Sequence, residues 1–314
     1  MNKLKKNIGL IVPFLGLVLV LVVLGIATGG RLFEMSNLSR IIDQCYTIVI
    51  LSVGCSFIYA HGGFDLSVGA VYGLAQVVAG YIMIATENVW LALPVCLAIS
   101  LICSLVTGGV TVKLALPAFI SSLCMQFLCR GIITATTKNN LLLPAGVSST
   151  ENLANNWVFK TIVLVIILAI AYILMHHTVF GRNNRFVGEN PAAAQQSGIN
   201  VTRTRMLAYT LNAIFVGIAS FFAMCRTGTV AILAGNGYEL DVIVAIVLGG
   251  MSLNGGINSS VRAPILGALI TTVLANGLVM LGVDYIYIDA VSGIIFLAVI
   301  AVSYKRIKNG LLAR

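Results

Sequence analysis

Apolar runs of about 20 residues follow one another along this chain, and that spacing leaves few folds open to it. A helix needs roughly 20 such residues to cross about 30 Å of hydrocarbon. Ten runs can be placed, at roughly 8–28, 41–60, 66–86, 90–112, 114–136, 157–175, 204–225, 239–253, 263–281 and 286–303. The eighth is the weakest, being short and rich in Gly. Of the 314 residues 59% are hydrophobic and 9% charged, against about 25% charged in ordinary soluble domains. The pattern is that of an all-α, polytopic membrane protein of about ten transmembrane helices; the alternating strands of a membrane barrel are missing from it. No polar stretch exceeds about 30 residues, too few for a soluble domain. Residues 1–314 therefore read as a single transmembrane domain. Its first run follows Lys3, Lys5 and Lys6, is too long for a signal peptide and lacks a clear cleavage site, so it reads as a retained span.

Charge sets the expected orientation. An even number of spans puts both termini on one side, and 13 of the 19 Lys and Arg residues fall on that side. Eight of the 10 acidic residues fall on the other. By the positive-inside rule, the N- and C-termini are cytoplasmic. The net charge of +9 is then mostly membrane anchoring, and no nucleic acid partner is needed to explain it.

The longest stretch that a bilayer does not easily hold is 176–205, with Arg182, Arg185, Arg203 and Arg205. Within it, Asn190-Pro191 precedes Ala192, Ala193, Ala194, Gln195, Gln196, Ser197 and Gly198. Pro at a first helical position and Gly as a stop make a helix of about two turns. Such a helix is either a plain connection between two spans or a surface for another protein to grip. On the opposite side, the loop 138–156 is long enough to form a cap or docking surface.

Catalytic chemistry is not indicated. The chain has no GxxxxGK[ST], so ATP binding of the usual kind is not expected, and it has no nucleophile elbow or zinc signature. Its seven cysteines lie in apolar stretches without a CxxC pair, as packing residues do. No cofactor or metal is expected on this chain. Asp65, the Glu239/Asp241 pair and Arg130 all fall near expected span ends. They read as helix caps or interfacial charges, Asp65 suiting the N-terminal end of the third span. Span interiors this poor in charge argue against ion coupling, so the energy for any transport comes from another chain. Gly69 and Gly73, like Gly25 and Gly29, have the spacing that lets helices approach closely. They serve close packing or line a path between helices. Gly63-Phe64-Asp65-Leu66-Ser67-Val68 echoes Gly237-Tyr238-Glu239-Leu240-Asp241-Val242, each opening an apolar helix. A duplicated, inverted half is one origin of such an echo.

The segment from His61-Gly62-Gly63 through Asp65-Leu66-Ser67-Val68-Gly69 resembles the GGxDLSVG of permease subunits in bacterial ABC sugar importers of the ribose, xylose and galactose type. Gly181-Arg182, Gly188-Glu189-Asn190-Pro191 and Ser197-Gly198-Ile199-Asn200-Val201 resemble their cytoplasmic loop. Gly237 to Asp241, Val247 to Gly256 and Asn276-Gly277-Leu278 are similar to their C-terminal half. The likeness covers about 37–304. It implies a permease homo- or heterodimer, a cytoplasmic ABC ATPase pair that binds ATP, and an extracytoplasmic substrate-binding protein that delivers a small sugar in a bacterial plasma membrane. It further implies that Asn190 to Gly198 couple to the ATPase, and that Gly62, Gly63, Asp65, Ser67, Tyr238, Glu239, Asp241 and Asn276 lie near the translocation path or its gates. The chain departs from the family pattern at Ala192, Gln195 and Gln196, where Glu, Arg and Leu are usual, which leaves the expected coupling surface less charged. Relatives of similar fold carry nucleosides, furanosyl autoinducers or branched-chain amino acids. A membrane scaffold or receptor that transports nothing is the alternative of a different class.

Overall fold

Hydrogen bonding decides which of these runs become through-helices, because hydrocarbon offers backbone groups no other partner. The structure, a computed structural model, describes residues 2–284 except 150, 151, 153 and 154, together with 287, 290, 291, 293 and 294; side chains are described from residue 13. The helices in order are α1 (Asn2–Ala27), α2 (Met35–Ala60), α3 (Val68–Thr86), α4 (Ala92–Lys113), α5 (Ala118–Thr136), α6 (Trp157–His177), α7 (Val179–Glu189), α8 (Pro191–Gln196), α9 (Val201–Thr227), α10 (Tyr238–Leu248) and α11 (Arg262–Met280). Among the described residues, seven helices are long and apolar enough to cross a membrane, and Pro13–Ala27 of α1 is a shorter apolar helix. They match the expected spans except at two places. The expected span at 286–303 lies outside the described residues apart from five positions. The expected span at 239–253 is replaced by α10, whose 11 residues reach only about 16 Å at 1.5 Å per residue.

α2 and α9 form the centre. In α2 every residue from Cys45 to Ala60 is buried, and α9 packs on α2, α3 and α4. One apolar core runs through these helices to Ala268 on α11, and a smaller cluster of Leu24, Leu32, Ile41 and Val273 ties α1 to α2 and α11. α4, α5 and α6 are buried over less than a third of their length and bear Ile102, Phe127 and Ile166 outward, as lipid-facing helices do.

Two stretches of non-helical backbone enter this bundle. The link from α2 to α3, 61–67, folds back so that Asp65 bonds Asn212, 11 residues into α9. Gly54, six residues before the end of α2, is level with the same Asn212, so α3 begins about 9 Å inside the bundle. The link from α9 to α10 descends beside α3: Val230 meets Gly80, Ala234 meets Gly73 and Gly235 meets Gly69. That span of α3 measures about 16 Å. The descent starts in a two-residue antiparallel ladder, β1 (Leu141–Leu142) on β2 (Thr229–Val230), which adds one short pairing to an otherwise helical fold. Gly69 and Gly73 thus admit a run of turns rather than a second helix. Gly25, in contrast, receives Phe33 from the next turn of its own chain.

α10 and α11 meet at backbone distance. A Cβ on Gly267 would strike the Ala245 carbonyl, and one on Gly249 the Ala263 carbonyl. Gly267→Leu is therefore expected to cost at least about 3 kcal/mol, at the upper end of overpacking penalties, read as a lowered unfolding midpoint of the purified protein; a midpoint equal to wild type would contradict this packing.

Candidate functional site: the elbow and the paired helix starts

The elbow 176–205 folds as two short helices at one end of the bundle. Thr178 caps α7, its Oγ1 accepting from Gly181 N at 3.2 Å. Asn190 caps α8, its Oδ1 accepting from Ala193 N at 3.1 Å, with Pro191 in the first turn. Gly198, at φ 80°, closes α8 by a Schellman motif: its N–H bonds Gln195 O, and Ile199 N–H bonds Ala194 O. The two-turn helix expected from Pro191 to Gly198 is therefore present. Ala194 is its one buried residue, and Pro191, Ala192, Ala193, Gln195, Gln196, Ser197 and Gly198 are exposed.

α7 fastens this knob to the core. The last four carbonyls of a helix have no partner within it, and those of α2 are served from three directions. Asn184 Nδ2 of α7 donates to Phe57 O at 2.7 Å. Gly63 N bonds Ile58 O and Gly62 N bonds Tyr59 O, with Gly62 at φ 76°. Gly256 N, from the turn after α10, donates to Ala60 O at 3.0 Å. Glu189 Oε2 in turn accepts from Ile257 N at 3.2 Å. Gly188 lies directly on Ala60 O, where no Cβ fits. The end of α7, the end of α2 and the turn 254–257 thus form one hydrogen-bonded joint. Sequence reading missed Asn184; a lone polar residue in the elbow gives no sign of whose carbonyl it will meet.

Gly62 and Gly63 belong to this joint as the stop of α2, Gly62 packed under Asn254 and Gly63 against His61 and Ile58. His61 is buried between the joint and Tyr209, ring centroids 6.2 Å apart. Burial first, and then the nearby Arg205, push its pKa down to about 3.

Asp65 and Ser67 stand deeper, at the start of α3. Asp65 Oδ1 accepts from Ser67 N at 2.9 Å and Ser67 Oγ at 2.6 Å, and Oδ2 accepts from Asn212 Nδ2 at 3.0 Å. The carboxylate ties the α3 start to the middle of α9. Of the two readings expected for Asp65 the cap at the start of α3 fits this bonding, and the interfacial one does not fit a residue 2% exposed.

The start of α10 abuts the start of α3. Gly69 lies against Gly235, Tyr238 and Glu239, and the rings of Tyr72 and Tyr238 are 5.2 Å apart. From here α3 runs away from the elbow and α10 runs toward it. The two echoing segments thus meet, and their helices diverge in opposite senses. Glu239 and Asp241 both lie in the first turn of α10, where the N-terminal end of a helix favours negative charge. Gln126 of α5 donates to Glu239 Oε1 at 2.9 Å, and Arg130 Nη1 donates to Ala234 O at 2.9 Å. Glu239 thus stands in the first turn of its helix, as expected, but is buried there, and Arg130 lies six residues inside α5, farther from the span end than expected. The cause is that 228–237 enters as irregular backbone needing polar partners. Asn276 lies apart, on the stretch of α11 where Gly277 receives Leu24 of α1. Among the described residues no His, Cys, Asp and Glu cluster suited to a metal is found.

Broken helices whose starts meet inside a bundle of spans, with an exposed elbow joined to them, define a multi-pass membrane permease. The chain belongs to the family described as branched-chain amino acid transport system / permease component, whose pattern matches residues 37–300. It is 32% identical over 299 residues to the ribose import permease protein of Escherichia coli K12, covering 92% of each chain. It is 31% identical over 300 residues to the ribose import permease protein of Bacillus subtilis 168, covering 94% of this chain and 92% of that one. To the fructose import permease protein of Rhizobium meliloti it is 27% identical, covering 93% and 84%. No solved structure matches it.

Two outcomes test this geometry. Asp65→Ala leaves Ser67 and Asn212 without their acceptor and is expected to destabilise by about 1–3 kcal/mol for each buried group left unpaired; Asp65→Asn, which keeps one oxygen, loses less in thermal unfolding. His61 has a folded pKa below its ordinary 6.5, so its contribution is whole above about pH 6.5 and is lost as pH falls toward 3. The fall in unfolding midpoint between pH 7 and pH 5 is therefore expected to be smaller in His61→Gln than in wild type.

Proposed function

We propose that this chain is the permease subunit of an ATP-driven, binding-protein-dependent importer and forms the translocation path for a sugar of the ribose, xylose or galactose class. The relatives named for ribose and fructose import, and a galactose/methyl galactoside import permease 28% identical to this chain, support the sugar. ATP binds on a separate cytoplasmic ATPase, not here. A second permease subunit completes the membrane part, and an extracytoplasmic binding protein docks at the face bearing 138–156. A relative named for autoinducer 2 import, 27% identical, favours a furanosyl compound or another small polar solute as the second choice of cargo.

The carrying observation is the joint. α8 is the exposed knob, Asn190 to Gly198 being its coupling residues, and a push on it reaches α2 through Asn184 and Gly188 and the turn after α10 through Glu189. Both α3 and α10 adjoin that joint. Displacing it changes how their starts meet, and that meeting of Asp65, Ser67, Tyr238, Glu239 and Asp241 is the proposed gate. Gly62 and Gly63 act as its hinge to α2, whereas Asn276 lines the path farther toward α1. An inverted duplication of the chain agrees with helices that diverge from paired GFDLSV and GYELDV segments. Both termini and the elbow lie in the cytoplasm in this reading, within one membrane domain.

Gln195→Glu combined with Gln196→Glu alters only exposed positions of α8. Uptake of ribose, fructose or galactose by the reconstituted complete importer is expected to fall at least tenfold, with the amount of chain in the membrane and its unfolding midpoint unchanged. Undiminished uptake would sink the coupling role; lost assembly with no sugar uptake even in wild type would favour a scaffold.

A further inference from the structure

Where α3, α5 and α10 meet, the side chains have more hydrogen-bonding capacity than the protein uses. Glu239 accepts from Gln126 through Oε1, but its Oε2 is buried without a partner. Arg130 holds the Ala234 carbonyl through Nη1, while its Nε and Nη2 are buried and unpartnered. Glu239 is 9% exposed; Gln126, Arg130 and Tyr238 are half-buried. The group is deep: Gln126 precedes the end of α5 by ten residues and Arg130 by six, about 15 Å and 9 Å along the helix.

Packing explains half of each contact and leaves the other half open. Gln126 and Ala234 would satisfy a purely structural carboxylate and guanidinium only in part, and each orphaned atom at this depth costs several kcal/mol unless something pairs with it. Half-buried polar side chains at mid-span call for polar partners rather than lipid. The kinds of free atom narrow that partner. The Glu239 oxygen, packed at Gly69, accepts, and two guanidinium nitrogens of Arg130, whose partner Ala234 packs at Gly73 one turn farther along α3, donate. Each hydroxyl of a polyol both donates and accepts, so a pair of neighbouring hydroxyls answers both. A simple anion is repelled by Glu239 and a simple cation by Arg130. The half-buried ring of Tyr238 borders the group with an apolar face, which suits the C–H face of a sugar ring.

We propose that Glu239, Arg130 and Gln126, bordered by Tyr238, form a binding site for one neutral monosaccharide inside the membrane part of this subunit. The permease then reads its cargo itself instead of only passing on what a binding protein selects. This rests on the sugar-transport reading above and names the residues that contact the sugar.

The test is a thermal-unfolding titration of the full-length chain in lipid nanodiscs with ribose, fructose, galactose and, as a zwitterionic control, leucine. Wild type, Glu239→Gln, Arg130→Gln and the milder Gln126→Ala are compared. Uptake of the same three sugars by the complete reconstituted importer is measured alongside. At least one sugar is expected to raise the wild-type midpoint. Its apparent affinity is expected to drop at least tenfold in Glu239→Gln and Arg130→Gln, and to a lesser degree in Gln126→Ala, which keeps both charges and covers the case where a charge variant does not fold. Three outcomes overturn the site: no sugar shifts the wild type although the importer takes sugar up, the folded variants bind as wild type does, or leucine stabilises and the sugars do not. An importer that takes up none of the sugars overturns the transport reading instead.

Discussion

Backbone hydrogen bonding in a place without water governs this architecture. A through-helix satisfies its own peptide groups, but the chain breaks helical structure at 61–67 and 228–237, both inside the bundle. Each break survives because side chains of other elements supply partners to its polar groups. Asp65 answers Ser67 and Asn212 at the first. Arg130 answers Ala234, and Asn140 answers Ile232, at the second. Glycine does the remaining work: Gly69 and Gly73 let the irregular segment lie flat on α3, where any larger side chain would hold it off.

The same rule builds the link between the elbow and the interior. The end of α2 carries carbonyls that need donors. They are met by Gly62 and Gly63 of its own chain, by Asn184 of α7 and by Gly256 after α10. A helix end that borrows donors from two other elements is bound to their positions. The exposed α8 is one residue away from that joint through Glu189 and Asn190.

Much of this was legible in advance. Seven of the expected spans appear as helices long enough to cross, because twenty apolar residues allow little else. α8 was readable to the residue, since Asn190, Pro191 and Gly198 are local signals with local causes. The failures share a cause. The run 239–253 is apolar enough for a span, yet Gly249 and Gly250 stop α10 at Leu248 and the chain before it has already descended into the bundle. Asp65, Arg130 and Glu239 sit at the edges of apolar runs, which in a through-helix means the interface. In α3 and α10, which begin halfway down, it means the interior for Asp65 and Glu239, whereas Arg130 lies within the through-helix α5 and is drawn in by the Ala234 carbonyl.

Sequence by itself determined a helical, many-span membrane body, its elbow helix and its family likeness, since hydropathy, caps and motifs act over a few residues at a time. Tertiary structure alone decided that the two echoing segments touch, that Asn184 holds Phe57, and that Gln126 and Arg130 reach Glu239 and Ala234. Those partners are separated by 104 to 127 positions, and no local propensity carries information over that distance. Only the packing of α2, α3, α5, α7 and α10 brings them within reach of one another.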